Sequence, residues 1–282
     1  MKLIQETAFF RQLSGLAFVR DYAEKMFANK QIIRILDGAC STGEETWSLA
    51  MLFQDFPKKV QITGFDIGKS AIEEAKKGVF PISKIKLNPY LEDFYDAYKD
   101  SFLSFKPISE LQEYQKKCKE LFDSFFEPTS VPKERISLME KIKLKLLGKY
   151  LPKKETNYYK VRPEKALLCN FVEGDIVKPD NLAKDGQVDI FLFRNALYHL
   201  ITDDLPSKPC RLPFPKEESQ KILEDLFRDI RRKLSKNGIF VLGNNEMFQT
   251  LDDGLVQKVL QQTGFMPVFR DNPEFAAVWQ KV

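Results

Sequence analysis

Short β-branched runs alternate with amphipathic stretches along most of this chain. Ile32 to Ala39 (IIRILDGA) is β-branched, ends in small residues and predicts a buried strand. The following CSTGEETWSLAMLF predicts a helix to about Phe53, opened by a capping box with Thr42 as N-cap and Glu45 three residues on. VQITGFDI (60–67) predicts a second strand, and Ser70–Lys77 a short helix that stops at Gly78. LLCNFVEGD (167–175) and VDIFLFRN (188–195) predict two further strands. Glu217–Leu234 carries Ile222, Leu223, Leu226, Phe227, Ile230 and Leu234 on one helical stripe, and Asn237-Gly238 ends it. GIFVLGNN (238–245) follows as a strand. The tail predicts a helix near 254–262 and two strands, FMPVFR (265–270) and EFAAVWQK (274–281), close enough to pair as an antiparallel hairpin on a sheet edge. Strands alternating with helices at this spacing predict an α/β fold with a doubly wound, largely parallel sheet.

The pattern is interrupted at Lys84–Asn157, a stretch rich in Phe, Tyr, Leu and Lys. Leu111, Cys118, Leu121, Phe122 and Phe125 recur at helical spacing, as do Ile136, Met139, Ile142, Leu146 and Tyr150. The expectation is one α/β domain formed by 1–83 and 158–282, carrying a helical, lysine-rich insertion over 84–157 whose aromatics form its own core. A second interruption, Asp203–Pro215, holds four prolines and predicts a stiff loop.

Composition narrows the chemistry. The chain of 282 residues is long enough to bury a core without covalent staples, and 43% hydrophobic with 30% charged residues describes a globular protein. It has 24 Phe but one His, His199, which excludes zinc sites with two or more histidines and paired-imidazole haem or copper sites. Its four cysteines, Cys40, Cys118, Cys169 and Cys210, form no CxxC pair, which suits a reducing compartment. No apolar run approaches the ~20 residues of a membrane span, and MKLIQETAFF lacks a secretory core, so a cytoplasmic protein without membrane insertion is expected. Net charge is +4, but residues 131–165 hold eleven Lys/Arg against four Glu, or +7, leaving −3 elsewhere. That basic segment reads either as a partner-facing surface or as a solvated helix face. It shows no nucleic-acid-binding motif.

Ligands of an open α/β sheet bind outside the carboxyl ends of its strands. Four stretches meet there: Asp37–Glu45, Gly64–Ile67, Glu173–Ile176 and Arg194–His199. The first is a Gly-containing turn into a helix N-terminus. It is not a P-loop, because no Lys follows the glycine and Glu44-Glu45 would repel phosphate. The acids favour a ligand with cationic groups, and Asp66 stands where a ribose could be held. S-adenosylmethionine, with its sulfonium and ammonium, suits such a site. On these residues alone, an α/β fold with merely polar strand ends remains the alternative.

GACSTGEETWSLAM resembles the first motif of the CheR-type chemotaxis receptor methyltransferases, whose usual form is close to GCSTGEEPYSLAM. The resemblance recurs in order. QETAFFR (5–11) is similar to the family's NETxFFR, FDIGKSAIEEAKKGVF (65–80) to its second-strand motif and YYKVRPEKALLCNFVEGDI (158–176) to its approach to the third strand. DIFLFRN (189–195) is similar to D-x-I-x-C-R-N, and NGIFVLGNNEMF (237–248) to the motif around the fifth strand. The resemblance implies a class I S-adenosylmethionine methyltransferase that binds S-adenosyl-L-methionine and leaves S-adenosyl-L-homocysteine. It implies that Gln5, Thr7 and Arg11 contact the methionine end, with Arg11 on its carboxylate, and that Glu45 takes the amino group. Asp66 would hold the ribose, Asp175 and Ile176 the adenine, and Asn195 would close the site. Arg194 would face the carboxylate to be methylated, with Tyr198 or His199 where the family has an aromatic hydroxyl five residues beyond the Arg.

The implied activity is methylation of a carboxylate, foremost a protein glutamate. An acidic protein partner would be engaged through the basic residues 131–165. The alternatives are a methyltransferase acting on a small molecule or another protein group, and a cofactor-binding regulator without turnover. Three departures from the family are expected to matter. QETAFFR begins at residue 5, so the family's preceding helical domain is expected to be missing. The family's small antiparallel sheet is expected to be replaced by the helical, basic insertion. Asp203–Pro215 is longer than the family's link and could cover the acceptor site.

Overall fold

The computed structural model describes residues 9–11, 13–81, 116, 120–129, 158–178, 181–194, 196–203, 212–213, 216–243, 254–272 and 275–282. The main sheet has seven strands: β1 (Ile32–Gly38), β2 (Lys59–Asp66), β6 (Cys169–Glu173), β7 (Val188–Phe193), β10 (Leu234–Leu242), β11 (Phe265–Asn272) and β12 (Phe275–Lys281). Their order across the sheet is β11-β12-β10-β7-β1-β2-β6. The pairs β6-β2, β2-β1, β1-β7 and β7-β10 are parallel. The pairs β10-β12 and β12-β11 are antiparallel, so the expected doubly wound sheet and terminal hairpin are both present.

Alternation along the central strands builds two cores, because successive side chains of a strand point to opposite faces. Ile33, Ile35, Ile190 and Leu192 join Leu16, Val19, Leu49 and Leu52 on one face. These come from α1 (Leu13–Met26) and α2 (Glu44–Phe53). Leu36, Phe191 and Phe193 join Leu223, Phe227, Ile230, Val256 and Leu260 on the other. These come from α5 (Lys216–Lys233) and α6 (Leu255–Gln262). Every residue of β7 is buried, as a parallel strand covered on both faces requires.

Two further helices are α3 (Lys69–Lys77) and the single turn α4 (Pro163–Ala166). The C-cap Gly78 is left-handed, as its place after α3 predicts. Helix α1 was not among the sequence-derived elements. Its buried positions, Leu16, Val19 and Ala23, do follow helical spacing.

Two expectations are corrected. The capping box at α2 does not form. The helix starts at Glu44, its N-cap is Gly43 in a left-handed conformation with φ of 92°, and no side chain caps it. Thr42 donates its hydroxyl to the Glu44 carboxylate instead, at 2.7–2.9 Å. The preceding loop turns through positive φ at Ala39 and Ser41, which carries Thr42 away from the free N–H groups of the helix.

The insertion is not wholly helical either. Residue 116 and residues 120–125 are helical, but they lead into β4 (Phe126–Thr129). This strand pairs antiparallel with β5 (Tyr158–Val161), which pairs with β3 (Val79–Pro81). A small three-stranded antiparallel sheet therefore stands where the sequence was read as having lost one. Phe125-Phe126 sits at the end of an apolar helical stripe, and periodicity alone does not show where a stripe changes to strand. The sheet packs through aromatic rings. Phe122 stacks on Phe126 at 4.3 Å, and Phe9 meets Phe80 edge-on at 4.9 Å. The rest of 84–157, including the lysine-rich part, lies outside the described residues.

The proline-rich loop is clasped at its ends by a two-strand ladder, β8 (Thr202–Asp203) with β9 (Leu212–Pro213). Residues 204–211 lie outside the described residues. No helix among the described residues is long and apolar enough to cross a membrane.

At the end of the sheet opposite the strands' carboxyl ends, Asp189 is 1% exposed and gathers three elements. It accepts from Ser235 Oγ at 2.6 Å, from the Arg34 N–H at 2.9 Å and from Lys30 Nζ. Asp189→Ala leaves Lys30 and the Arg34 N–H without this acceptor. It should lower stability by about 3 kcal/mol in urea denaturation, with the larger part restored in Asp189→Asn.

Candidate functional site

The parallel strands end together at one rim, and register decides what meets there. Asp37 lies opposite Gly64 and Leu192, and Gly38 opposite Phe65 and Phe193. Asp66 lies opposite Glu173. The loop from β1 to α2 crosses this rim. Cys40 N–H donates to Phe65 O at 3.1 Å, and Ser41 N–H to Asp66 Oδ2 at 2.9 Å. The other oxygen of Asp66 accepts from Gly68 N–H at 2.8 Å, and its carbonyl from Gly174 N–H at 3.0 Å. One acid thus ties the ends of β1, β2 and β6. Gly64 is required beside it, because a Cβ there would stand 2.6 Å from Thr46 Oγ1 and 2.9 Å from the Phe171 ring.

The first turn of α2 receives the N-terminal motif. Ser48 donates its hydroxyl to Glu44 O at 2.7 Å and accepts the Phe10 N–H at 2.8 Å. Phe9 and Phe10 are both buried, and Phe10 has φ of 53°. The next residue, Arg11, offers its carbonyl to Arg194 Nη2 at 2.6 Å. Arg194 follows the end of β7, and its Nη1 lies 3.0 Å from Glu45 Oε2. Side-chain exposure in this pair is 2% for Arg194 and 12% for Glu45, so it forms in a largely water-free place. Arg11, Glu45 and Arg194, predicted separately from three motifs, are one cluster.

Asp37 completes it. Its carboxyl group is buried and accepts from the Thr46 hydroxyl. Burial, reinforced by the charge of Glu45, holds it well above the usual carboxylate range; the Thr46 hydroxyl and Arg194 oppose this only in part. Asp37 lay within a stretch singled out in the sequence but was given no role there, and neither Thr46 nor Ser48 was identified. The available signal was an acid closing a β-branched strand, where burial on both faces follows from the parallel sheet. Burial and the nearby acids Asp37 and Asp66 push the Cys40 thiol up, and burial with Asp37 does the same for Cys169. Neither thiol is a thiolate at neutral pH, so neither is a nucleophile.

The remaining candidates are spread along the same rim. Asp175 accepts the Val177 N–H at 3.0 Å in a local turn after β6, and Ile176 is buried beside it. Ile67 and Val177 stay exposed. His199 lies in a 3-10 turn, Leu197–Leu200, is half-buried and donates its N–H to Ala196 O at 3.0 Å. Tyr198 shares that turn, but its side chain lies outside the described set, as do Gln5, Thr7 and Asn195.

Comparison with known proteins places this rim in a family context. Residues 5–114 match the family model described as CheR methyltransferase, SAM binding domain. Two chemotaxis protein methyltransferases illustrate the sequence relatives. That of Campylobacter jejuni is 42% identical over 78 residues, covering 27% of this chain and 29% of the relative. That of Borreliella burgdorferi is 29% identical over 133 residues, covering 42% of this chain and 47% of the relative. The chain thus spans less than half the length of the curated relatives it matches. Among solved structures, the chain is similar to the DszA carbon methyltransferase, with a TM-score of 0.47, 10% identity and coverage of 96% of this chain and 53% of that one. The doubly wound sheet with its terminal antiparallel hairpin is the α/β architecture expected from the sequence, and the family model that matches its first part is one of S-adenosylmethionine binding. The motif-by-motif resemblance and the family model coincide on the loop from β1 to α2 and on Asp66, and over residues 5–114 this chain is similar to the CheR methyltransferases.

Proposed function

We propose that the protein is a CheR-type methyltransferase that transfers a methyl group from S-adenosyl-L-methionine to a carboxylate, foremost a protein glutamate. The observation that carries this reading is the buried Glu45–Arg194 pair tied to the backbone of Arg11, inside the segment that matches the family model. The residues present fit the cofactor. The rim is acidic, as a ligand with a sulfonium and an ammonium requires. Each oxygen of Asp66 accepts one backbone N–H and has a further lone pair for a ribose hydroxyl. The Ser41 hydroxyl is buried in the same loop with no hydrogen-bond partner among the described residues.

In this reading Glu45 accepts the ammonium while keeping Arg194, since one carboxylate offers about four acceptor sites. Arg11 pairs with the methionine carboxylate, supported by Thr7 and Gln5. Asp175 and Ile176 border the adenine, and Asn195 closes the site. The bound cofactor supplies an electrophilic methyl group on a positively charged sulfur. A carboxylate is already a nucleophile at neutral pH, so no side chain has to remove a proton. The contribution of the protein is alignment and exclusion of water. Arg194 is the group proposed to align the acceptor. Its hydrogen bond to Arg11 O and its ion pair with Glu45 restrain the fork, and a restrained fork recognises a carboxylate bidentately. Tyr198 or His199 is the side chain proposed to assist it. An acidic protein segment suits the basic residues 131–165, and the setting is the cytoplasm. The second reading, a cofactor-binding regulator without turnover, draws on His199 replacing the usual aromatic hydroxyl.

Asp66→Ala should weaken S-adenosylhomocysteine binding by roughly ten- to a hundredfold in calorimetric titration, the loss of one or two charge-assisted hydrogen bonds. Equal binding by wild type and variant would remove the ribose assignment. Radiolabelled S-adenosylmethionine with a lysate as acceptor should give label on protein that mild base releases, as methyl esters do. Base-stable label would point to another acceptor group, and no label with intact cofactor binding would favour the regulator. Arg194→Lys should lower turnover by a larger factor than it lowers S-adenosylhomocysteine affinity, because its geometry matters most in aligning the acceptor.

A further inference from the structure

We propose that Asp37 is a neutral carboxylic acid whose proton is shared with the Glu45 carboxylate, so that it is a positioning residue for Glu45 and couples the site to pH. The argument starts from unmet hydrogen bonding. Asp37 is 1% exposed at the end of β1, and its Oδ2 accepts from Thr46. Its Oδ1 is buried and faces no donor. An ionised oxygen in that position would carry the full cost of desolvation. Protonated, the same oxygen becomes a donor, and the proposed acceptor is Glu45, whose carboxylate acts on Asp37 from the first turn of α2.

Charge counting agrees. Arg11 enters the cluster through its carbonyl, so the positive charge acting on Asp37 is that of Arg194, which lies 3.0 Å from Glu45 Oε2. Glu45 ionised and Asp37 neutral leaves the cluster balanced, whereas ionising both leaves one negative charge in excess in a water-poor place. Two adjacent carboxyl groups in such a place share one proton. The groups that face Asp37 from the elements packed on it are Glu45 and Thr46 of α2, Arg194 beyond β7, Cys40 of the loop and Cys169 of β6. Asp66 acts on the same loop through Cys40. Among them the Thr46 hydroxyl and Arg194 favour an ionised Asp37, and burial with Glu45 outweighs both.

Two consequences follow. In the unfolded chain Asp37 titrates in the ordinary aspartate range, while in the folded protein it keeps its proton to higher pH. The folded state therefore binds the extra proton, and stability from this group falls as pH rises from the ordinary aspartate value through the raised one. The second consequence rests on the proposed function. A cationic amino group arriving at Glu45 balances the excess charge that ionised Asp37 would bring, so binding expels the proton of Asp37.

Asp37→Asn tests both, because the amide is a neutral isostere that accepts from Thr46 and donates to Glu45. Unfolding in urea, measured from about pH 5 to about pH 8 on the ligand-free protein, should show the variant gaining on wild type as pH rises. The gain approaches tenfold in the folding constant per pH unit and levels off where Asp37 ionises in the folded state. A pH-independent difference between the two proteins overturns the proposal. Glu45→Gln, which removes the neighbouring charge, should bring the levelling of its own stability to lower pH; an unchanged profile again counts against the shared proton.

Calorimetry of S-adenosylhomocysteine in buffers of different ionisation enthalpy should show proton release in wild type that Asp37→Asn lacks. Equal proton release in the two overturns the coupling to Glu45. Failure of wild type to bind S-adenosylhomocysteine defeats the proposed function instead, and the urea profiles then decide the state of Asp37 independently.

Discussion

The rim of this protein depends on one buried ion pair, Glu45 with Arg194. A charged pair out of water is tolerated only where further hydrogen bonds complete it, and removing one partner of such a pair costs about 3–5 kcal/mol. Here part of that completion comes from the Arg11 carbonyl, which accepts from Arg194 Nη2. The pair joins the first turn of α2, the exit of β7 and the N-terminal motif, which are otherwise separate parts of the chain. A site for a small cationic ligand and an acceptor needs those three parts in register.

The sheet makes that register available. β7 and β1 lie side by side in parallel, so their carboxyl ends reach the same edge, and the loops that follow them cannot avoid each other. The positive φ values at Ala39, Ser41 and Gly43 fold the first loop down onto Asp66, rather than letting it run directly into the helix. The small antiparallel sheet contributes from the side. Its aromatic rings hold Phe9, and Phe9 precedes the Phe10 N–H that docks on Ser48. Residues near the start of the chain are thereby anchored against the edge of the α/β core.

Much of this was legible in the residue order. The strands around Ile33, Ile62 and Phe191 were visible because β-branched and aromatic runs bounded by small or polar residues have few other places to go. The terminal hairpin was visible because two short runs follow each other too closely for a crossover. The capping box at Thr42 was misread because its spacing is right while the loop geometry is not: three left-handed residues redirect Thr42 to Glu44. Strand β4 was missed because Phe122, Phe125 and Phe126 satisfy a helical stripe until backbone pairing with β5 ends it.

By itself the sequence determined the fold class and the chemical types at the rim: two adjacent glutamates, a strand-end aspartate, and arginines at 11 and 194. These follow from local pattern, because strand and helix periods and turn residues act over a few positions. Only the tertiary structure decided that Glu45 meets Arg194, that both reach the backbone of Arg11, and that Asp37 is too enclosed to ionise like an ordinary aspartate. Ionisation and ion pairing are set by distance and by the exclusion of water. Both arise from segments far apart in the chain, so no local pattern carries them.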